Sequence, residues 1–94
     1  MQITWRRIAL EDLDEAHGYI AEHNPDAADR SHNAILGAVL RLAEFPDLGR
    51  SGRVDGTREL VVSGTDYIVV YRLMNNQLMV LAVLHGAQDW PERF

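Results

Sequence analysis

The chain contains no cysteine and no lysine. The first absence excludes disulfides, thiolate metal ligands and a cysteine nucleophile, which suits a reducing compartment. The second excludes a lysine general base and makes all 9 basic residues arginine. Long apolar runs are missing too. Nowhere do 18 apolar residues follow one another, the length a membrane-spanning helix needs, and no signal-like apolar run follows Arg6-Arg7. The expectation is a soluble, cytoplasmic protein without membrane contact. Positive charge is scarce, with 9 basic against 14 acidic residues. Residues 1–47 hold nine acids and four arginines, whereas residues 48–94 hold five of each. General coating of nucleic acid depends on many phosphate neutralisations and is disfavoured, so no direct DNA binding by the chain alone is expected. The one local exception in composition is the arginine set Arg50, Arg53, Arg58 and Arg72.

What is present fits one small domain over residues 1–94, with a modest core and a narrow stability margin. Ile3–Trp5 reads as a brief strand. From Ala9, apolar residues recur at Leu13, Ala16 and Ile20 with Glu11, Asp12, Asp14 and Glu15 elsewhere, the spacing of an amphipathic helix whose early acids would favour the positive end of its dipole. Asn24-Pro25-Asp26 supplies a capping side chain, a proline pre-shaped for the first helical position and a first-turn acid. A second helix follows with Ala28, Ile35, Val39 and Leu42 on its stripe, widened by Leu36, Leu40 and Ala43, and stops at Phe45-Pro46. Residues 46–52 are turn-rich, and after them the period changes from helical to strand-like. Arg58–Val62, Tyr67–Leu73 and Leu78–Leu84 are runs rich in β-branched and aromatic residues, separated by Ser63–Asp66 and by Asn75-Asn76, a pair that tolerates the positive φ of a tight hairpin. The predicted class is α+β: a short N-terminal strand, then a two-helix hairpin packed on an antiparallel meander.

Gly56-Thr57-Arg58-Glu59-Leu60-Val61-Val62, Tyr67-Ile68-Val69-Val70-Tyr71-Arg72 and Val83-Leu84-His85-Gly86-Ala87-Gln88-Asp89-Trp90-Pro91 resemble the C-terminal half of RelE/ParE toxins. Upstream, Ala9 with Asp12-Leu13, Tyr19-Ile20, Asn24-Pro25, Ala27-Ala28 and Phe45-Pro46 to Gly49-Arg50 are similar to the helical hairpin and loop of the same superfamily. The resemblance spans nearly the whole chain and implies the toxin of a type II toxin–antitoxin module. It implies neutralisation by a cognate antitoxin, of ParD type with a DNA-binding N-terminal domain, and one of two targets: DNA gyrase for ParE-like members, or ribosome-bound mRNA for RelE-like members.

The two targets demand different chemistry. Cleaving RNA through its 2′-hydroxyl needs a proton acceptor, a proton donor and cations near the phosphate. His85 and Glu59 could serve as acid and base, with Arg58 and Arg72 steadying charge, but RelE-like nucleases commonly carry an arginine where this chain has Ile68. Arg58 and Glu59 are also neighbours in a strand and so point to opposite faces. The preferred reading is therefore ParE-like, with no catalytic residues and no cofactor, and with His85, Gln88, Trp90, Arg58 and Arg72 as target contacts. Each has a plainer alternative: a strand-end histidine bonded to backbone, an Arg72 whose head meets a carboxylate, and a Trp90 that anchors the chain end. Antitoxin contacts are expected at Leu13, Tyr19, Ile20, Leu36 and Leu40, in an acidic-to-apolar groove on the hairpin and sheet. His17 and His23 are six residues apart, a spacing that does not stack ligands on a helix, and no metal is expected.

Overall fold

The structure is a computed structural model that describes residues 1–94. Its elements are β1 (Gln2–Trp5), α1 (Arg7–Ala21), α2 (Pro25–Glu44), a 3-10 turn at Pro46–Leu48, β2 (Arg50–Ser51), β3 (Arg58–Val61), β4 (Tyr67–Met74) and β5 (Gln77–His85). The helical hairpin and the three long strands lie where periodicity put them. The α+β class holds, and the sheet carries two additions. It is five-stranded in the order β1-β5-β4-β3-β2, and β1 joins it parallel to β5, making the sheet mixed. The meander β3-β4-β5 is antiparallel. Arg50–Ser51, expected within a loop, forms a two-residue edge strand on β3.

Local chemistry accounts for the boundaries. Asn24 Oδ1 accepts the Ala27 N–H at 3.0 Å, Pro25 opens α2 and Asp26 sits in its first turn. At α1 the expectation shifts. Arg6 is extended and donates its N–H to Val80 O at 3.0 Å, so the strand passes into helix at Arg7, two residues before Ala9. Glu11 and Asp12 consequently fall beyond the first turn, which holds no acid. Asn75 and Asn76 both take positive φ, 53° and 59°, in the β4–β5 hairpin.

The sheet has two unlike faces. Toward the helices, Val69, Tyr71, Leu78 and Val80 join Ala9, Leu13, Ala16, Ile35, Val39 and Leu42 in the main core. On the other face Val70, Leu81, Ala82 and Leu84 form a second cluster, covered by Trp90 and Phe94 of the C-terminal segment rather than by a helix. A register shift beside Val70/Tyr71 adjusts β5 to both faces. No helix is long and apolar enough to cross a membrane.

Candidate functional site

The loop from Pro46 to Gly56 is fixed from both faces of the sheet. On the helix side, the buried Tyr71 hydroxyl donates to Pro46 O at 2.6 Å and accepts the Gly49 N–H at 3.0 Å. A Cβ at Gly49 would lie 2.5 Å from that hydroxyl, so only glycine fits there. Arg58, opposite Tyr71 in the register, donates from Nη1 to Gly49 O at 2.7 Å and faces Asp47 at 3.4 Å.

On the other face stands Glu59, opposite Val70 and only 2% exposed. Its Oε2 accepts the Arg53 N–H at 2.7 Å and its Oε1 accepts Arg50 Nη2 at 3.1 Å, with Arg53 Nε at 3.7 Å. A carboxylate this deep requires such compensation. The Arg53 guanidinium lies in turn 3.6 Å from the centre of the Trp90 ring.

These positions divide the four residues considered for RNA cleavage. Residues directly opposite in an antiparallel pair share a face. Arg58 therefore shares the helix face with Tyr71, and His85 shares it with Tyr67, against which its ring packs edge-on at 5.4 Å. Tyr67 and Tyr71 are separated along β4 by about 13 Å, at roughly 3.3 Å per residue. Glu59 and Arg72 lie on the opposite face. Arg72 meets no carboxylate, contrary to the plain reading of that residue, and lies instead beside Gly56. His85 Nδ1 accepts the Ala87 N–H at 3.0 Å, leaving Nε2 as its free nitrogen, 3.9 Å from Asp66. Gln88 turns back to accept the His85 N–H at 2.6 Å, and Trp90 Nε1 donates to His85 O at 3.4 Å. Trp90 is thus packed and bonded as an anchor, with part of its surface still open.

Two grooves flank the helix layer. One, of about 470 Å³, runs between α1 and the end of β5 and is lined by Asp12, Glu15, Tyr19, Glu22, Tyr67, His85 and Gln88. Asp12 at its floor accepts the Val83 N–H at 3.0 Å, a β5 edge group that β1 is too short to reach. Burial raises the Asp12 carboxyl above the usual carboxylate range, partly offset by that hydrogen bond. The other groove, of about 360 Å³, lies between α2 and the edge of β3 and is lined by Gly37, Ala38, Arg41, Leu48, Leu60 and Val61. Beyond β2 the β3 edge at Leu60–Val61 has no neighbouring strand.

The hairpin residues expected to receive a partner separate accordingly. Tyr19 lines the acidic groove and is well exposed, as is Leu40, while Ile20 and Leu36 are half-buried against the core. Leu13 is a correction: it is buried in the main core, because the helix stripe that looked like a docking face is the face the sheet covers. The apolar groove also uses Gly37 and Ala38 rather than Leu36 and Leu40. Gly37 offered the signal that was missed, since a glycine within a helix leaves a depression in its surface. His17 Nε2 meets Asp29 Oδ1 at 2.8 Å, joining α1 to α2, and packs edge-on to His32.

Against known proteins, the model described as "ParE toxin of type II toxin-antitoxin system, parDE" matches residues 3–90. The chain belongs to the ParE toxin family. It is a type II toxin–antitoxin toxin of the RelE/ParE superfamily. Among similar proteins, the toxin Y4kP of Sinorhizobium fredii is 44% identical over 91 residues, covering 97% of this chain and 94% of that one. Toxin RelE2 of Caulobacter vibrioides is 32% identical, over 93% of this chain and 97% of its own. Toxin ParE2 of Mycobacterium tuberculosis is 31% identical, over 84% and 75%. A solved chain of the chromosomal ParDE system from P. aeruginosa shares the fold, with a TM-score of 0.82 at 23% identity over 90% of this chain and 95% of that chain.

Proposed function

We propose that this ParE-family toxin acts by binding DNA gyrase and blocking replication, without chemistry of its own, and that a cognate antitoxin neutralises it by direct binding in the cytoplasm. The observation that carries the reading is the division of the residues considered for cleavage, Glu59, Arg58, Arg72 and His85. Glu59 is held by Arg50 and Arg53 on one face, while Arg58 and His85 are on the other, at separate ends. RNA cleavage needs these groups around one phosphate. Target contact is assigned instead to His85 and Gln88 at the end of β5 and to Trp90 on the far face beside Arg53, with Arg58 and Arg72 further along the sheet on its two faces. Purified toxin is expected to inhibit gyrase supercoiling in vitro; unchanged supercoiling at large molar excess would remove this reading.

For the antitoxin, the apolar groove between α2 and the free β3 edge suits an apolar segment. The acidic groove beside Tyr19 suits a basic one, since Asp12, Glu15 and Glu22 line it. A ParD-like partner encoded beside the toxin is expected to co-purify with it, and failure to form a complex on co-expression would count against this assignment. Ribosome-dependent mRNA cleavage is the second reading, supported by relatives named RelE2 and RelE3, the latter 30% identical. Its signature would be codon-linked cuts in translated mRNA after induction, mapped by primer extension.

A further inference from the structure

Residues 89–94 have no regular secondary structure and make no backbone–backbone hydrogen bond. They nevertheless cover a sheet face whose Val70, Leu81, Ala82 and Leu84 are buried without any helix above them. Three attachments hold this strap: packing of Trp90 and Phe94 on that cluster, the long Trp90 Nε1–H bond to His85 O at 3.4 Å, and the Arg53 guanidinium on the Trp90 ring at 3.6 Å. Arg53 is half-exposed and belongs to a loop, so nothing in its own helix or strand fixes it. What fixes it is Glu59, which accepts its backbone N–H at 2.7 Å and faces its Nε at 3.7 Å, while Arg50 balances the remaining charge.

We propose that Glu59 and Arg53 are positioning residues that clamp the C-terminal strap through Trp90 and so set the geometry of the target-contacting surface. The clamp runs in series: the buried carboxylate orders the loop, the loop presents one guanidinium, and the guanidinium seats the indole. This explains why a carboxylate is buried where the chain has no reaction for it to perform. An arginine on an aromatic face gains from its planar, weakly hydrated head, which an ammonium does not reproduce equally. The functional half of the proposal rests on the reading that the strap region touches gyrase.

The test uses the full chain in a Trp5→Phe background, so that fluorescence reports Trp90 alone. Arg53→Ala is expected to raise acrylamide quenching of Trp90 about twofold or more and to speed amide exchange in residues 86–94, with the circular dichroism of the folded chain unchanged. Glu59→Gln is expected to do the same, because its amide sets a donor against the Arg53 and Arg50 donors, and Arg53→Lys is expected to restore part of the protection. Gyrase inhibition by Arg53→Ala should weaken about tenfold, the equivalent of one well-placed contact. Adding Trp90→Ala should weaken it by less than the product of the two single effects, as residues acting in one series require. Quenching and exchange unchanged in Arg53→Ala, a surface change that leaves folding intact, would overturn the clamp even if Glu59→Gln fails to fold. A loosened strap with undiminished inhibition would overturn its role in toxicity. If the parent protein does not inhibit gyrase at all, the proposed function fails, and the quenching result still decides whether the clamp exists.

Discussion

Replacing Tyr71 with phenylalanine removes a single oxygen from the molecule and isolates what that oxygen does. The ring is fully buried, so the substitution keeps its packing and leaves no cavity of note. Two partners lose their bond: the Gly49 N–H at 3.0 Å and Pro46 O at 2.6 Å. Gly49 is buried and its N–H has no route to water, whereas Pro46 is half-exposed and its carbonyl can rehydrate. An orphaned buried donor costs about 1–3 kcal/mol, so the expected loss is about 2 kcal/mol. At roughly 4–8 °C per kcal/mol for a domain of this size, Tm should fall by about 8–16 °C. Tyr67→Phe is the control, since the Tyr67 hydroxyl has no partner within the protein; it should change stability by less than about 0.5 kcal/mol. Thermal and urea unfolding of the three proteins decide the matter. A Tyr71→Phe protein melting within about 2 °C of the parent would refute the assignment of the hydroxyl as the tie that holds the loop.

Further outcomes follow from the same geometry. Burial raises both Tyr67 and Tyr71 above the ordinary value of 10.0, so the unfolded chain ionises first and binds fewer protons. Stability is therefore expected to fall as pH rises above about 10, and less steeply in Tyr71→Phe. Asn24→Ala removes the α2 cap and should cost about 1 kcal/mol in urea unfolding. Asp12→Asn keeps an acceptor for the Val83 N–H without a buried charge, so at neutral pH it should match or exceed the parent, whereas Asp12→Ala orphans that N–H and should cost about 1–3 kcal/mol. Because the folded-state pKa of Asp12 is raised above 3.8, the parent should gain on Asp12→Asn as pH falls from neutral toward 4. Val61→Asp, on the half-exposed β3 edge, should weaken antitoxin binding about tenfold or more while leaving Tm nearly unchanged, measured by calorimetric titration and melting.

The fold was legible wherever one local rule acted alone. Asn24-Pro25 gave the start of α2, Phe45-Pro46 its end, and Asn75-Asn76 the hairpin. The direction of β1 was not legible, because four residues carry no mark of whether their neighbour runs parallel or antiparallel. That choice is made by the length of the α1–α2 hairpin and by where β5 returns. Arg50–Ser51 was hidden for a similar reason: two polar residues form a strand only because β3 already lies beside them.

Site residues were harder to place, and the reason is visible in Leu13 and Glu59. Periodicity says which residues share a helix face but not whether that face meets the sheet or a partner, so Leu13 looked like a docking residue and is core. Alternation gave the opposed directions of Arg58 and Glu59 correctly, yet it could not say that the second sheet face would be closed by the chain end. Glu59, opposite Val70 on that face, is buried and must be compensated, and its donors are Arg50 of β2 and Arg53 of the loop that follows it. A residue whose sequence neighbourhood suggested a general base is thereby committed to ordering a loop, a role visible only once Arg50 and Arg53 are seen to turn back onto it.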